Sequence, residues 1–228
     1  MDIKHYPYYI RPMYREDVSP VNEIDREVFP TQWPPPNYQR ELQNQLARLL
    51  VACDGSKTVA VSESEVSPRK SISGLVSRLK QLFASRHPLS NTLPLSNRHY
   101  VVGFAGIWIL ADEAHITNIA VRNLYQRQGI GELLLIATID LSAELKASLL
   151  TLEVRASNLP AQKLYEKYGF VQVGLRRGYY TDNREDAVLM STESIALASF
   201  QAQFQRLRQS YCQRYGIATD SLAKSFSS

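Results

Sequence analysis

The sequence predicts an α/β (α+β) protein: a central sheet flanked by helices. Two observations carry this. Long apolar runs recur at residues 101–110, 115–121 and 149–154, each bounded by polar or turn-forming residues as strands are. Between the last two, Ile130, Leu133, Leu134, Ala137, Leu141 and Leu145 fall at helical spacing. Strand, helix and strand in that order make a βαβ-like unit, and 228 residues with 44% hydrophobic content can bury a sizeable core in one domain.

The elements follow in order. Residues 1–54 read as the N-terminal part of that domain, with a short strand around Tyr9, Ile10 and Arg11. A helix starts near Ser19 and Pro20, because Ser caps a helix and Pro suits its first position. It ends at Phe29-Pro30, a rigid Trp33-Pro34-Pro35-Pro36 loop follows, and Asn37 caps a second helix running to about Leu49. Residues 55–98 form an insert with ten serines, seven basic residues and two acidic ones, net +5. Within it Ile72, Leu75, Val76, Leu79, Leu82 and Phe83 suggest one amphipathic helix between flexible arms. Residues 99–192 form the main block. There a helix from Asn158 to Tyr168 stops at Gly169, and Phe170 opens another strand. Residues 193–228 read as a polar terminal helix with frayed Ser and Lys ends. No internal repeat is found.

A net charge of +4 is compatible with a phosphate-rich ligand or a ribosome-associated target and identifies neither. Cys53 and Cys212 are too few for a disulfide framework, and no Cys/His cluster has metal-ligand spacing, so no metal is expected. The chain opens without an apolar signal segment, and no stretch is apolar enough to span a membrane. The expectation is a soluble, cytoplasmic monomer without direct nucleic-acid contacts. The basic insert has three possible docking partners: rRNA, an anionic membrane surface, or the protein's own core.

The most informative residues are Gln126-Arg127-Gln128-Gly129-Ile130-Gly131, directly after a strand and opening a helix. Glycines there let backbone approach a ligand, and the free N–H groups with the helix dipole favour an anion. No Lys-Ser/Thr follows as in a P-loop, and the third glycine of a dinucleotide fingerprint is missing. Alone, the loop fits a plain strand–helix turn as well as a pyrophosphate site.

The wider sequence resembles the GNAT superfamily, whose acyl-CoA signature is Gln or Arg, two residues, Gly, one residue, Gly or Ala; Gln126, Gly129 and Gly131 match it. Asn118-Ile119-Ala120-Val121, Leu152-Glu153-Val154-Arg155-Ala156-Ser157-Asn158 and Leu164-Tyr165-Glu166-Lys167-Tyr168-Gly169-Phe170 look like the RimI family of ribosomal-protein-alanine N-acetyltransferases. So do Arg176-Arg177-Gly178-Tyr179-Tyr180 and Glu185-Asp186-Ala187. The resemblance covers residues 114–190, and more weakly the first fifty. It implies a mixed, mostly antiparallel sheet with a splay between two parallel strands, and acetyl-CoA as co-substrate. The backbone of Ile119, Ala120 and Val121 would pair with the pantetheine arm. Gln126, Arg127, Gln128, Gly129, Ile130, Gly131 and Glu132 would wrap the pyrophosphate. Asn158 would bond the cofactor near its thioester, and equally fits as a helix cap.

Acetyl transfer to an amine needs a base, because an α-amino group with pKa near ~8 arrives mostly as ammonium. It also needs a donor to the thioester oxygen and an acid for the leaving thiolate. Glu153 sits in an otherwise apolar strand, where a carboxylate is costly unless paired or functional. It could equally face solvent or pair with Arg155 or Lys163; the resemblance makes it the base. Tyr165 is the acid by resemblance, and otherwise an aromatic packed beside Leu164, Tyr168 and Phe170. The Val121 N–H is the oxyanion donor, and His115 is a candidate proton relay beside the amine. Phe29, Pro30, Tyr179 and Tyr180 would wall a pocket for the N-terminus of a protein substrate. The implied reaction acetylates the N-terminal alanine of a small-subunit ribosomal protein. Two other readings stay open: a broader N-terminal or lysine acetyltransferase, and a CoA-binding regulatory module without catalysis.

Overall fold

A computed structural model of the protein describes residues 6–31, 36–59 and 98–218. The expected helix at Ile72–Phe83, Trp33, Pro34 and Pro35 of the loop, and the frayed C-terminal residues lie outside these. Seven strands form one sheet in the order β1-β2-β3-β4-β5-β7-β6. They are β1 (Tyr8–Pro12), β2 (Ala47–Val59), β3 (Arg98–Leu110), β4 (Glu113–Val121), β5 (Leu149–Arg155), β6 (Phe170–Tyr180) and β7 (Glu185–Thr192). All neighbours are antiparallel except β4 and β5.

Helices α1 (Val18–Val28) and α2 (Tyr38–Glu41) cover one face. Helices α3 (Ile130–Glu144), α4 (Leu159–Lys167) and α5 (Ala198–Tyr215) cover the other. On α3, Leu133, Leu134, Leu135, Ile136 and Ile139 are all fully buried. That run is apolar all round because α3 lies between the sheet and α5, and a helix covered on two sides has no polar face to show.

Three expectations are corrected. Helix α1 begins at Val18, after a 3-10 turn over Arg15–Asp17, so Ser19 is its second residue rather than its cap. Asp17 stands at the cap position, and its carboxylate is taken up by the Arg11 guanidinium and the Tyr14 N–H. Asn37 does cap α2, accepting from the Arg40 N–H, but the helix is one turn long. From Ala47 the chain is strand, because it fills the slot between β1 and β3 and pairs on both sides; ladder bonds on two edges outweigh local helical spacing. The expected insert therefore starts late, since β2 runs on to Val59. Finally, α5 is polar on one side only. Phe200, Phe204, Tyr211 and Cys212 are buried against the core, each large side chain contributing about 1.5–3 kcal/mol.

Two features of β4 shape the centre. Its pairing with β5 covers only Glu113–Ile116 against Leu149–Leu152; beyond Ile116 the parallel strands part. Its register with β3 shifts between Gly106 and Ile107, leaving Thr117 as an extra residue. Such a bulge inverts which side chains face which layer: Ala114 and Ile116 pack toward α3, whereas Ala120 packs toward α1. A buried chain holds the bulge, with the Tyr38 hydroxyl donating to Asp25 Oδ1 (2.6 Å) and the Asn118 amide to Tyr38 (3.2 Å).

Candidate active site

Glu153 is the first β5 residue beyond the last pair with β4, so it stands at the fork of the sheet. Along β5, Leu150, Leu152 and Val154 point into the core under α3, so strand alternation puts Thr151, Glu153 and Arg155 on the opposite face. The sequence offered Arg155 or Lys163 as partners for Glu153. The structure gives it two others: His115 Nε2 is 3.1 Å from its Oε2, and Arg176 Nη1 is 3.0 Å from its Oε1. Arg155 is instead held by Asp182 and Glu185 (2.9 and 3.0 Å). The Glu153 side chain is 11% exposed and that of His115 24%.

Behind His115 lies a chain that the sequence reading missed. His115 Nδ1 is 2.9 Å from Thr151 Oγ1, and the Thr151 hydroxyl donates to Glu113 Oε1. That commits the only hydroxyl hydrogen of Thr151, so its oxygen accepts from His115 Nδ1–H. Nε2 and the Glu153 carboxylate then face each other as two acceptors unless one proton lies between them. A proton arriving at this pair can bridge the two atoms; the Nδ1–H is assigned from the hydrogen-bond pattern. The legible signal was parity: Glu113 and His115 alternate in β4 as Thr151 and Glu153 do in β5, polar positions in two apolar strands.

Tyr165 hangs from α4 on the other face, buried, with its ring 5.7 Å from that of Phe170. Burial and then the neighbouring Tyr180 phenol push its pKa up to about 12, so it stays protonated across the physiological range. Its hydroxyl makes no hydrogen bond among the described residues. Tyr180 is raised to about 12, mainly by burial, against the opposing pull of Arg155; that guanidinium sits 4.0 Å from the ring centre. Tyr179 packs edge-on against Tyr180 and under Arg176. The α1 loop and the late hairpin meet where the Thr31 hydroxyl donates to Asp182 (2.5 Å). Phe29 is part-buried and Pro30 exposed in that loop.

The Gln126–Gly131 loop has a conformation suited to an anion. The Arg122 N–H bonds to Val102 O in β3, so alternation turns the N–H groups of Val121 and Ile119 away from β3, toward the gap left by β5. Gly129 has φ +85° and immediately precedes α3; Arg127 has φ +62°, a conformation L side chains rarely adopt. A side chain at Gly129 would strike Tyr215, so that glycine is required by the protein itself. Gly131 is different: an added Cβ would meet only Val121 Cγ2 at 3.9 Å. Neither packing nor backbone demands a glycine there, which leaves a cradle over the first turn of α3 that fits a closely approaching phosphate. The side chains of this loop serve it internally. Gln126 donates to Val121 O and Asn123, Gln128 to Leu124 O. Glu132 accepts from Lys167 (2.5 Å) and Tyr168 (2.7 Å). What the loop offers a ligand is backbone N–H together with the exposed Arg127 side chain. Asn158 caps α4 by accepting from the Ala161 N–H (3.3 Å).

Comparison with known proteins follows the same lines. The model of the Acetyltransferase (GNAT) family matches residues 64–170. The [ribosomal protein bS18]-alanine N-acetyltransferase of Escherichia coli (strain K12) is 46% identical over 99 residues, 42% of this chain and 67% of that protein. A Bacillus subtilis (strain 168) protein under a provisional form of the same name is 45% identical over 104 residues, 46% of this chain and 69% of that one. The crystal structure of the E. coli ribosomal-protein-S18-alanine N-acetyltransferase superposes with TM-score 0.58 at 26% identity, covering 84% of this chain and 97% of that one. Arabidopsis thaliana NAA60 shares the fold at TM-score 0.58 and 18% identity, over 82% of this chain and 98% of that one. The chain belongs to the GNAT acetyltransferase family, in its RimI-type group.

Proposed function

We propose that this acetyltransferase acetylates the α-amine of a protein beginning with alanine, with ribosomal protein bS18 as the substrate and the cytoplasm as the setting. The observation that supports the reading is Glu153 at the fork between β4 and β5 on one face of the sheet, with the buried Tyr165 phenol on the other face. The cofactor is acetyl-CoA, which supplies an activated acyl carbonyl and a thiolate leaving group.

The chain's own residues then divide the work. The backbone N–H groups from Arg127 to Glu132 hold the pyrophosphate at the start of α3, where the helix dipole adds to them. The N–H of Val121 donates toward the carbonyl oxygen as charge builds there. Glu153 takes the proton of the incoming ammonium, and His115, fixed by Thr151 and Glu113, is the second place that proton can rest. Tyr165, protonated up to about pH 12, donates to the departing sulfur. Tyr179, Tyr180, Phe29 and Pro30 wall the substrate entrance, with Arg155 and Asp182 tying the hairpin to the α1 loop. The test is a panel of short peptides that differ only at the first residue, read by mass spectrometry of the acetylated product. An alanine-first peptide as the best substrate supports the reading; indifference to the first residue overturns it.

A further inference from the structure

Helix α5 meets the cofactor loop at its far end. The Tyr211 hydroxyl is 3.3 Å from Gly129 O, and the Tyr6 hydroxyl is 3.3 Å from Gln128 O. The two phenols are 2.7 Å apart, so two hydrogens serve three contacts. From β1, the Tyr8 hydroxyl donates to Gln128 Oε1 at 2.7 Å. The Tyr215 hydroxyl lies directly against Gly129, where a Cβ would come within 2.3 Å of it. The rings of Tyr6, Tyr211 and Tyr215 pack together at centroid distances of 4.6 to 6.2 Å. Four tyrosines, from the two ends of the described chain, thus close on one dipeptide of the loop.

The geometry has a consequence for anion binding. Across a trans peptide the C=O and the following N–H point in opposite directions. Holding the carbonyl of Gln128 toward Tyr6 turns the Gly129 N–H away from the tyrosines. Gly129 O is likewise fixed, toward Tyr211 and toward the Leu133 N–H of the first helical turn, which orients the Ile130 N–H. A loop with two residues at positive φ has other conformations available, and something outside it must choose this one. Burial, more than any neighbour, raises the pKa of both Tyr6 and Tyr211. They stay neutral donors and add no negative charge beside a phosphate.

We propose that α5 and the Tyr6–Tyr8 segment form a clasp that presets the Gln126–Gly131 turn for the anionic end of acetyl-CoA, so that Tyr211 and Tyr215 set cofactor affinity without taking part in acyl transfer. The proposal rests on the acetyl-CoA site assigned above. Tyr6, Tyr8, Tyr211 and Tyr215 are positioning residues: their effect reaches the ligand through the loop.

The test measures acetyl-CoA and free CoA binding by calorimetry, without peptide, and separately kcat and both KM values. In Tyr215→Ala and Tyr211→Phe the Kd and KM for acetyl-CoA should rise roughly 5- to 20-fold, with kcat and peptide KM within about twofold of wild type. Tyr215→Phe keeps the ring beside Gly129 and should recover most of the affinity lost in Tyr215→Ala. Unchanged acetyl-CoA affinity in folded Tyr211→Phe and Tyr215→Ala proteins overturns the clasp. So does a loss confined to kcat. Should Tyr215→Ala fail to fold, Tyr6→Phe and Tyr211→Phe, which keep every ring, decide the matter alone. A wild-type protein that binds neither acetyl-CoA nor CoA would overturn the cofactor site itself; wild-type binding with no effect of the tyrosines would overturn the clasp alone.

Discussion

His115 Nε2 and Glu153 Oε2 lie 3.1 Å apart, with Thr151 fixing the other imidazole nitrogen from behind. The two side chains come from the parallel strands β4 and β5, just where those strands separate. His115 still lies in the paired stretch opposite Thr151, and Glu153 is the next residue of β5 on the same face, one step past the last pair.

Glu153→Gln keeps the shape and one acceptor oxygen but removes the proposed base. Turnover on an alanine-first peptide at neutral pH should fall by roughly 10²- to 10⁴-fold. The deficit should shrink as pH rises past ~8, where the α-amine arrives neutral. Steady-state kinetics from pH 6 to 10 reads both effects. Wild-type turnover at pH 7 would return Glu153 to a purely structural role.

Thr151→Val preserves volume and strand preference while removing the acceptor of His115 Nδ1–H. The imidazole is then free to change tautomer, and kcat should drop on the order of 10-fold, the size of loss typical when a group orienting a histidine is removed. The KM for acetyl-CoA should stay put. A kcat equal to wild type would remove Glu113 and Thr151 from the proton path.

Much of this was legible in the sequence, and what was not has physical causes. The turn at Gly129 and the caps at Asn37 and Asn158 could be read because the constraint is local: a positive φ or an exposed helix end demands certain residues. Residues 47–49 could not, since their strand state comes from β1 and β3, which the local pattern does not contain. The same holds for α5. Its polar composition suggested a tail, yet its partner was written in α3, where Leu135, Ile136 and Ile139 fill the side that a single cover would leave polar. At the site, Glu153 and His115 were identifiable singly, but Arg176 reaches Glu153 across β7, and only the topology reveals that.

Tyr165→Phe isolates the proposed acid. The ring still packs against Phe170, so thermal stability should change little, while kcat should fall roughly 10²-fold through the missing proton donor. Because the phenol is pushed up to about 12, it remains protonated through pH 10. The wild-type rate should accordingly show no alkaline decline from this group below about pH 11. A decline centred near pH 9 that disappears in Tyr165→Phe would contradict the buried, neutral phenol seen here.

The last prediction separates an α-amine from a lysine side chain as the acceptor. Lysine has a reference pKa near ~10.4 against ~8 for an α-amine, so at neutral pH it is about two orders of magnitude poorer in free amine. One carboxylate beside one imidazole offsets the smaller deficit more readily than the larger. The entrance adds geometry: the Tyr180 ring is stacked under Arg155, and the hairpin carrying it is bound to the α1 loop through Thr31 and Asp182. On the proposed reading, an entrance held at those two contacts suits a short first residue whose backbone follows directly. An alanine-first peptide should be acetylated efficiently, and the same peptide blocked at its N-terminus but carrying an internal lysine should react at least ~10²-fold more slowly. Tyr180→Ala should raise KM for the alanine peptide more than for acetyl-CoA, if the ring walls the peptide entrance as proposed. Equal rates on the blocked lysine peptide would replace the N-terminal reading with a broader protein acetyltransferase.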